Sequence, residues 1–93
     1  PQDKVFYIQI EDDEMIGFRM LKGDLAFAHI VKELSNNGFF LIEYNGKRKI
    51  RQVKILGNSK VLLVSNSGSL LTETMEVRDI NVIAKLERVE ITL

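Results

Sequence analysis

Residues 38–65 read GFFLIEYNGKRKIRQVKILGNSKVLLVS, and two turn signals divide this stretch into three extended runs. Asn45-Gly46 separates the apolar run Gly38 to Tyr44 from the mixed run Lys47 to Leu56. Asn-Gly readily supplies the two positive φ values of a type I′ hairpin. Gly57-Asn58 leads in the same way into Lys60 to Ser65. A three-stranded meander over residues 38–65 follows, with Ser65 to Gly68 as the next loop and its serines as turn formers. The alternation of Arg51, Val53 and Ile55 turns a guanidinium towards a largely apolar face, where an unpaired charge is costly.

Outward from the meander the chain stays mainly β. Lys4 to Ile10 and Ile80 to Leu93 are rich in β-branched residues and read as strands. In the second of these, Ile80, Val82, Ala84 and Leu86 share one face, while Val89, Ile91 and Leu93 share the other. That change of phase predicts a bulge or twist between Leu86 and Val89. Asp24 to Asn37 fits two patterns. Leu25, Ala28, Val31 and Leu34 keep helical spacing between an Asp24 N-cap and a Gly38 stop, whereas Leu25, Phe27, His29 and Val31 alternate as a strand.

The 93 residues suit one domain, 1–93, with a single modest core. Thirteen basic and thirteen acidic side chains cancel, so the net charge gives no reason to expect nucleic acid or an anionic membrane as partner. No apolar run is long enough for a membrane span. The absence of Cys and the single His leave no thiol nucleophile and argue against a structural zinc site; no cofactor is expected. A start at Pro1 without an apolar leader leads to the expectation of a fragment from a longer cytoplasmic protein.

FYIQIEDDEM at Phe6 to Met15 is followed by Gly23-Asp24-Leu25, by Asn37-Gly38 before an apolar strand, and by Arg51-Gln52-Val53-Lys54 ahead of Gly57-Asn58. This ordered set resembles the self-cleaving C-terminal domain shared by LexA, UmuD and many phage repressors, and the resemblance covers essentially the whole chain. Gly23 lies nine positions after Glu14, as that family's Gly lies after its catalytic Ser, and Asn66 falls where the family often has an Asn. The resemblance implies a LexA and signal-peptidase-like fold of coiled β-sheets with a hairpin meander. It also selects the strand for the first half of Asp24 to Asn37.

In that family a serine precedes the Met and a lysine acts as general base. Here Glu14 and Arg51 stand at those positions. A carboxylate is not a hydroxyl nucleophile, and a guanidinium does not give up its proton near neutral pH. The resemblance therefore implies a degenerate Ser-Lys peptidase-like domain without a catalytic residue. Glu14 and Arg51 either form an ion pair in place of the dyad, or belong separately to the acidic turn Glu11 to Glu14 and the basic strand Lys47 to Lys54.

The other candidate features have plain explanations. Glu11 to Glu14 lacks calcium-loop spacing and reads as a solvated turn, not a metal site. Lys47, Arg48, Lys49, Arg51 and Lys54 read as edge protection, and His29 as an ordinary strand residue. The expected role is a non-catalytic dimerisation and regulatory domain of a repressor. Val89, Ile91 and Leu93 would lie at a homodimer interface, an antirepressor protein is a candidate regulatory partner, and DNA would be bound only through a missing N-terminal helix-turn-helix domain. A stand-alone protein-interaction domain on the same fold is the second reading. The third, an active hydrolase, has only Glu14, Asp24 and His29 to offer.

Overall fold

A computed structural model of the protein describes residues 5–90. Seven strands form one sheet: β1 Val5–Gln9, β2 Leu25–Ile30, β3 Phe39–Tyr44, β4 Lys47–Gly57, β5 Lys60–Asn66, β6 Leu70–Glu76 and β7 Asn81–Glu90. Their order is β1-β2-β7-β3-β4-β5-β6, and every neighbouring pair is antiparallel. Short 3-10 turns occupy Ile16–Phe18 and Val77–Asp79. Among the described residues no helix is long and apolar enough to cross a membrane.

The meander forms where the sequence places it. Asn45 and Gly46 carry φ of 51° and 75°, the two positive values of a type I′ turn. The next turn sits one residue later than expected. The register slips between Ile55 and Gly57, and Asn58 and Ser59 make the bend with φ of 51° and 68°. Ser65 lies inside β5 rather than in a loop, and the unexpected strand β6 follows. No helix forms in Asp24 to Asn37; residues 25–30 are β2, and the rest is bends and turns. The strand wins because Ala26 and Ala28, both fully buried, fit between flanking strands, with Ala26 opposite Ile8 and Val89.

Two bulges in β7 join the halves of the sheet. Phe27 and Ala28 pair with Arg88 and Leu86, leaving Glu87 as an extra residue, in the interval where the sequence predicts a bulge. Leu41 and Ile42 pair with Ala84 and Val82, leaving Ile83 extra. Each extra residue resets the alternation of faces. The expectation that Ile80, Val82, Ala84 and Leu86 share one face is thereby corrected. Ile80 and Val82 pack against a core of Phe40, Ile42, Tyr44, Val53, Val61 and Leu63. Leu86 joins a second core with Ile10, Met15, Met20 and Ala26. Val89 returns to the Leu86 side and packs there too, rather than on the opposite face.

β3 is covered on both sides: Phe40 and Ile42 face the first core, Phe39 and Leu41 the second. The 10–24 excursion that supplies Met15 and Met20 is closed at its neck. Ile10 N–H donates to Asp24 O at 2.8 Å and Gly23 N–H to Ile10 O at 2.9 Å.

Candidate functional site

The neck of the 10–24 excursion fixes where its acidic tip can go. Asp13 Oδ1 accepts from Lys22 N–H at 2.8 Å, and Asp12 Oδ1 accepts from Glu14 N–H at 2.9 Å, which curls the segment. Asn66 N–H at the end of β5 donates to Glu14 O at 3.0 Å. Gly17 sits so close to the Asn66 amide that a Cβ there would overlap it. These contacts bring the Glu14 carboxylate over β4.

There the structure joins Glu14 to Arg51. Arg51 Nη2 donates to Glu14 Oε1 at 2.8 Å, and Lys49 Nζ donates to Glu14 Oε2 at 2.9 Å. Lys49 also reaches Asp12 Oδ2 at 3.3 Å. One carboxylate thus bridges two cations set two residues apart on one strand face. The Arg51 side chain is only 8% exposed and that of Glu14 40%. Arg51 Nη1 donates to Ile50 O at 2.9 Å, while the buried Nε has no hydrogen-bond partner within the protein.

The network continues inward. Tyr44, buried in the first core, donates its hydroxyl to Glu73 Oε1 on β6 at 2.9 Å and interacts with Arg51. Lys49 foremost, then Arg51, hold the Glu14 carboxyl below its ordinary value. Glu14, in turn, raises the Lys49 ammonium. For Arg51, burial pulls the pKa down, but the partners Glu14 and Tyr44 outweigh it and the net shift is upward. Burial, then the Glu73 carboxylate, push Tyr44 upward.

Acyl transfer needs a nucleophile beside a base; at Glu14 and Arg51 the structure holds a carboxylate against a guanidinium. The residues named for a hydrolase have separate partners. Asp24 Oδ2 accepts from Leu21 N–H at 3.0 Å inside the excursion, and His29 Nδ1 lies 2.7 Å from Glu87 Oε2. The basic hairpin is likewise engaged: Arg48 lies 3.8 Å from Glu43, and Lys54 donates to Asn37 Oδ1 at 2.8 Å. Among the described residues no group of His, Cys, Asp and Glu is arranged to hold a metal ion. Of the expected interface residues, Val89 is half-buried against the chain's own second core. Ile91 and Leu93 lie outside the described residues.

Sequence reasoning missed Lys49, Tyr44 and Glu73 as members of the network. The period of two along β4 carried the signal for Lys49. No local signal marked Tyr44 or Glu73, whose meeting depends on β6. A family model described as Peptidase S24-like matches residues 1–87. Among curated proteins none matches the chain.

Proposed function

The chain belongs to the Peptidase S24-like family, that of the LexA, UmuD and phage-repressor C-terminal domains, and from this premise we propose that it is a non-catalytic dimerisation and regulatory domain of a transcriptional repressor. The observation that carries the reading is the 2.8 Å contact between Glu14 and Arg51, at the two positions that the family resemblance assigns to serine and lysine. Neither side chain supplies a hydroxyl nucleophile or a neutral amine base. Their pairing, reinforced by Lys49, gives both positions a structural task. It clamps the 10–24 excursion onto β4.

What remains useful in such a domain is association. A two-fold pairing of domains would set the spacing of two DNA-reading units on a palindromic site. The second half of β7 and the residues after it are the segment proposed to contribute. Release from DNA would then depend on a bound regulator rather than on self-cleavage.

Incubating the protein at alkaline pH, and separately with the activated RecA filaments that induce self-cleavage in LexA-type relatives, tests the loss of chemistry. The expected result is an intact chain at all times. A time-dependent cut upstream of Glu14 overturns the reading. Sedimentation equilibrium at micromolar concentration tests association: a dimer is expected, and a monomer throughout removes that part.

A further inference from the structure

At the far end of the first core from Glu14, the β4–β5 hairpin tip, the 32–34 segment and the turn Val77–Asp79 enclose a groove of about 440 Å³. Its walls are Leu34, Ile55, Val61, Val77, Ile80 and Val82. Leu34, Ile80 and Val82 are half-buried and pack on the first core, and Val61 beneath the groove is fully buried, with no surface open to a ligand. Ile55 and Val77, on its rim, are 46% and 40% exposed. Apolar walls around a concavity of this volume match small-molecule sites, which span about 300–1,000 Å³.

The walls are tied in place without a ligand. Val77 N–H donates to Ser59 O at 2.8 Å, which fastens the hairpin tip to the Val77–Asp79 turn. Ile55 N–H donates to Asn36 Oδ1 at 2.9 Å, which fastens the loop after β2 to β4. A preformed site loses little ordering entropy on binding. The mouth carries Lys32 and Lys60 against one carboxylate, Glu33. Lys49, Lys54, Lys47 and Lys85 are each engaged, by carboxylates, an amide or an aromatic ring. Lys32 and Lys60, like Lys22 outside the groove, have no such partner among the described residues, and Glu76 stands opposite Lys60 across the β5–β6 pair.

We propose that this groove binds a small apolar carboxylate, with its hydrocarbon part against Ile55, Val77 and Val82 and its anionic head at Lys32 and Lys60. Binding does not depend on the repressor reading. The further step, that occupancy supplies the release signal, rests on it. The groove's size, about 440 Å³, suits a compact ligand, whereas a protein partner's footprint needs about 800 Å² per side.

The test uses decanoate, below its aggregation concentration, titrated into the isotopically labelled chain, with decanol as the uncharged control. The expected result is saturable amide shifts at Ile55, Val61, Val77 and Ile80, with Glu14 and Arg51 unmoved. The Lys32→Ala/Lys60→Ala variant, altered only at exposed positions, should bind decanoate about tenfold more weakly while leaving decanol unchanged. Non-saturating shifts, shifts centred elsewhere, or equal decanoate affinity in parent and variant overturn the proposal. Self-cleavage of the protein would strike the repressor reading and leave these binding results standing.

Discussion

Replacing Glu14 with Gln removes the charge that joins Lys49 to Arg51 while keeping the shape. The cost follows from how differently the two ends are buried. Breaking one side of a fully buried pair costs about 3–5 kcal/mol, and an exposed pair is worth at most about 1 kcal/mol. Here Arg51 is 8% exposed and Glu14 40%, so water reaches the vacated side but not the guanidinium's far edge, where Nε already lacks a partner. The expected loss for Glu14→Gln is therefore about 2 kcal/mol, between those limits. In a domain of this size about 1 kcal/mol moves Tm by about 4–8 °C, which gives a drop of about 8–16 °C. Urea and thermal unfolding of Glu14→Gln, Arg51→Met and the double variant measure it. The double variant should be more stable than Glu14→Gln alone, because no buried cation is stranded. A Glu14→Gln variant within about 0.5 kcal/mol of the parent, or strict additivity in the cycle, refutes the reasoning.

The same carboxylate makes stability depend on acid. Held below its ordinary 4.5 by Lys49 and Arg51, Glu14 takes up its proton more readily in the unfolded chain. Its contribution is thus full above pH 4.5 and is lost as pH falls through the folded value; the Glu14→Gln variant should lack that component in a pH series of urea midpoints. Tyr44→Phe should cost about 0.5–1.5 kcal/mol, since the exposed Glu73 rehydrates. It should also remove part of the stability loss above pH 10, where Tyr44, raised by burial and by Glu73, ionises first in the unfolded chain. Gly46→Ala adds a Cβ in open space at φ +75°, so its expected cost of about 1–2 kcal/mol is backbone strain alone, read as a lower urea midpoint with unchanged circular dichroism.

Turn chemistry made the meander legible, because Asn45-Gly46 acts through its own backbone and needs no distant partner. β6 was illegible for the opposite reason. LLTETME has no alternation of buried and exposed residues, with only Met75 and Glu76 half-buried, and it is a strand because β5 offers its edge over seven paired positions. In β2 the buried side chains are the small Ala26 and Ala28, whereas the larger Leu25, Phe27 and His29 are less buried. Apolar periodicity therefore left helix and strand both open, and the resemblance selected the strand. The β7 bulge at Glu87 showed as a change of phase in the sequence. The one at Ile83 did not, since Val82, Ala84 and Leu86 keep an unbroken alternation while the partner strand forces the switch.

The site was legible to the extent that opposite charges were visible at Glu14 and Arg51, and no further. Arginine at position 51 does what a lysine there could not. Its fork donates to Ile50 O and to Glu14 Oε1 at once, and it stays charged where burial would draw an ammonium towards neutrality. Lys49, closer to solvent, then satisfies the second carboxylate oxygen and ties in Asp12. The excursion that carries Met15 and Met20 into the second core is consequently fastened to β4 by charge as well as by packing. Loosening the ion pair should for that reason weaken the second core before the first, where Phe40, Ile42 and Val53 are fully buried.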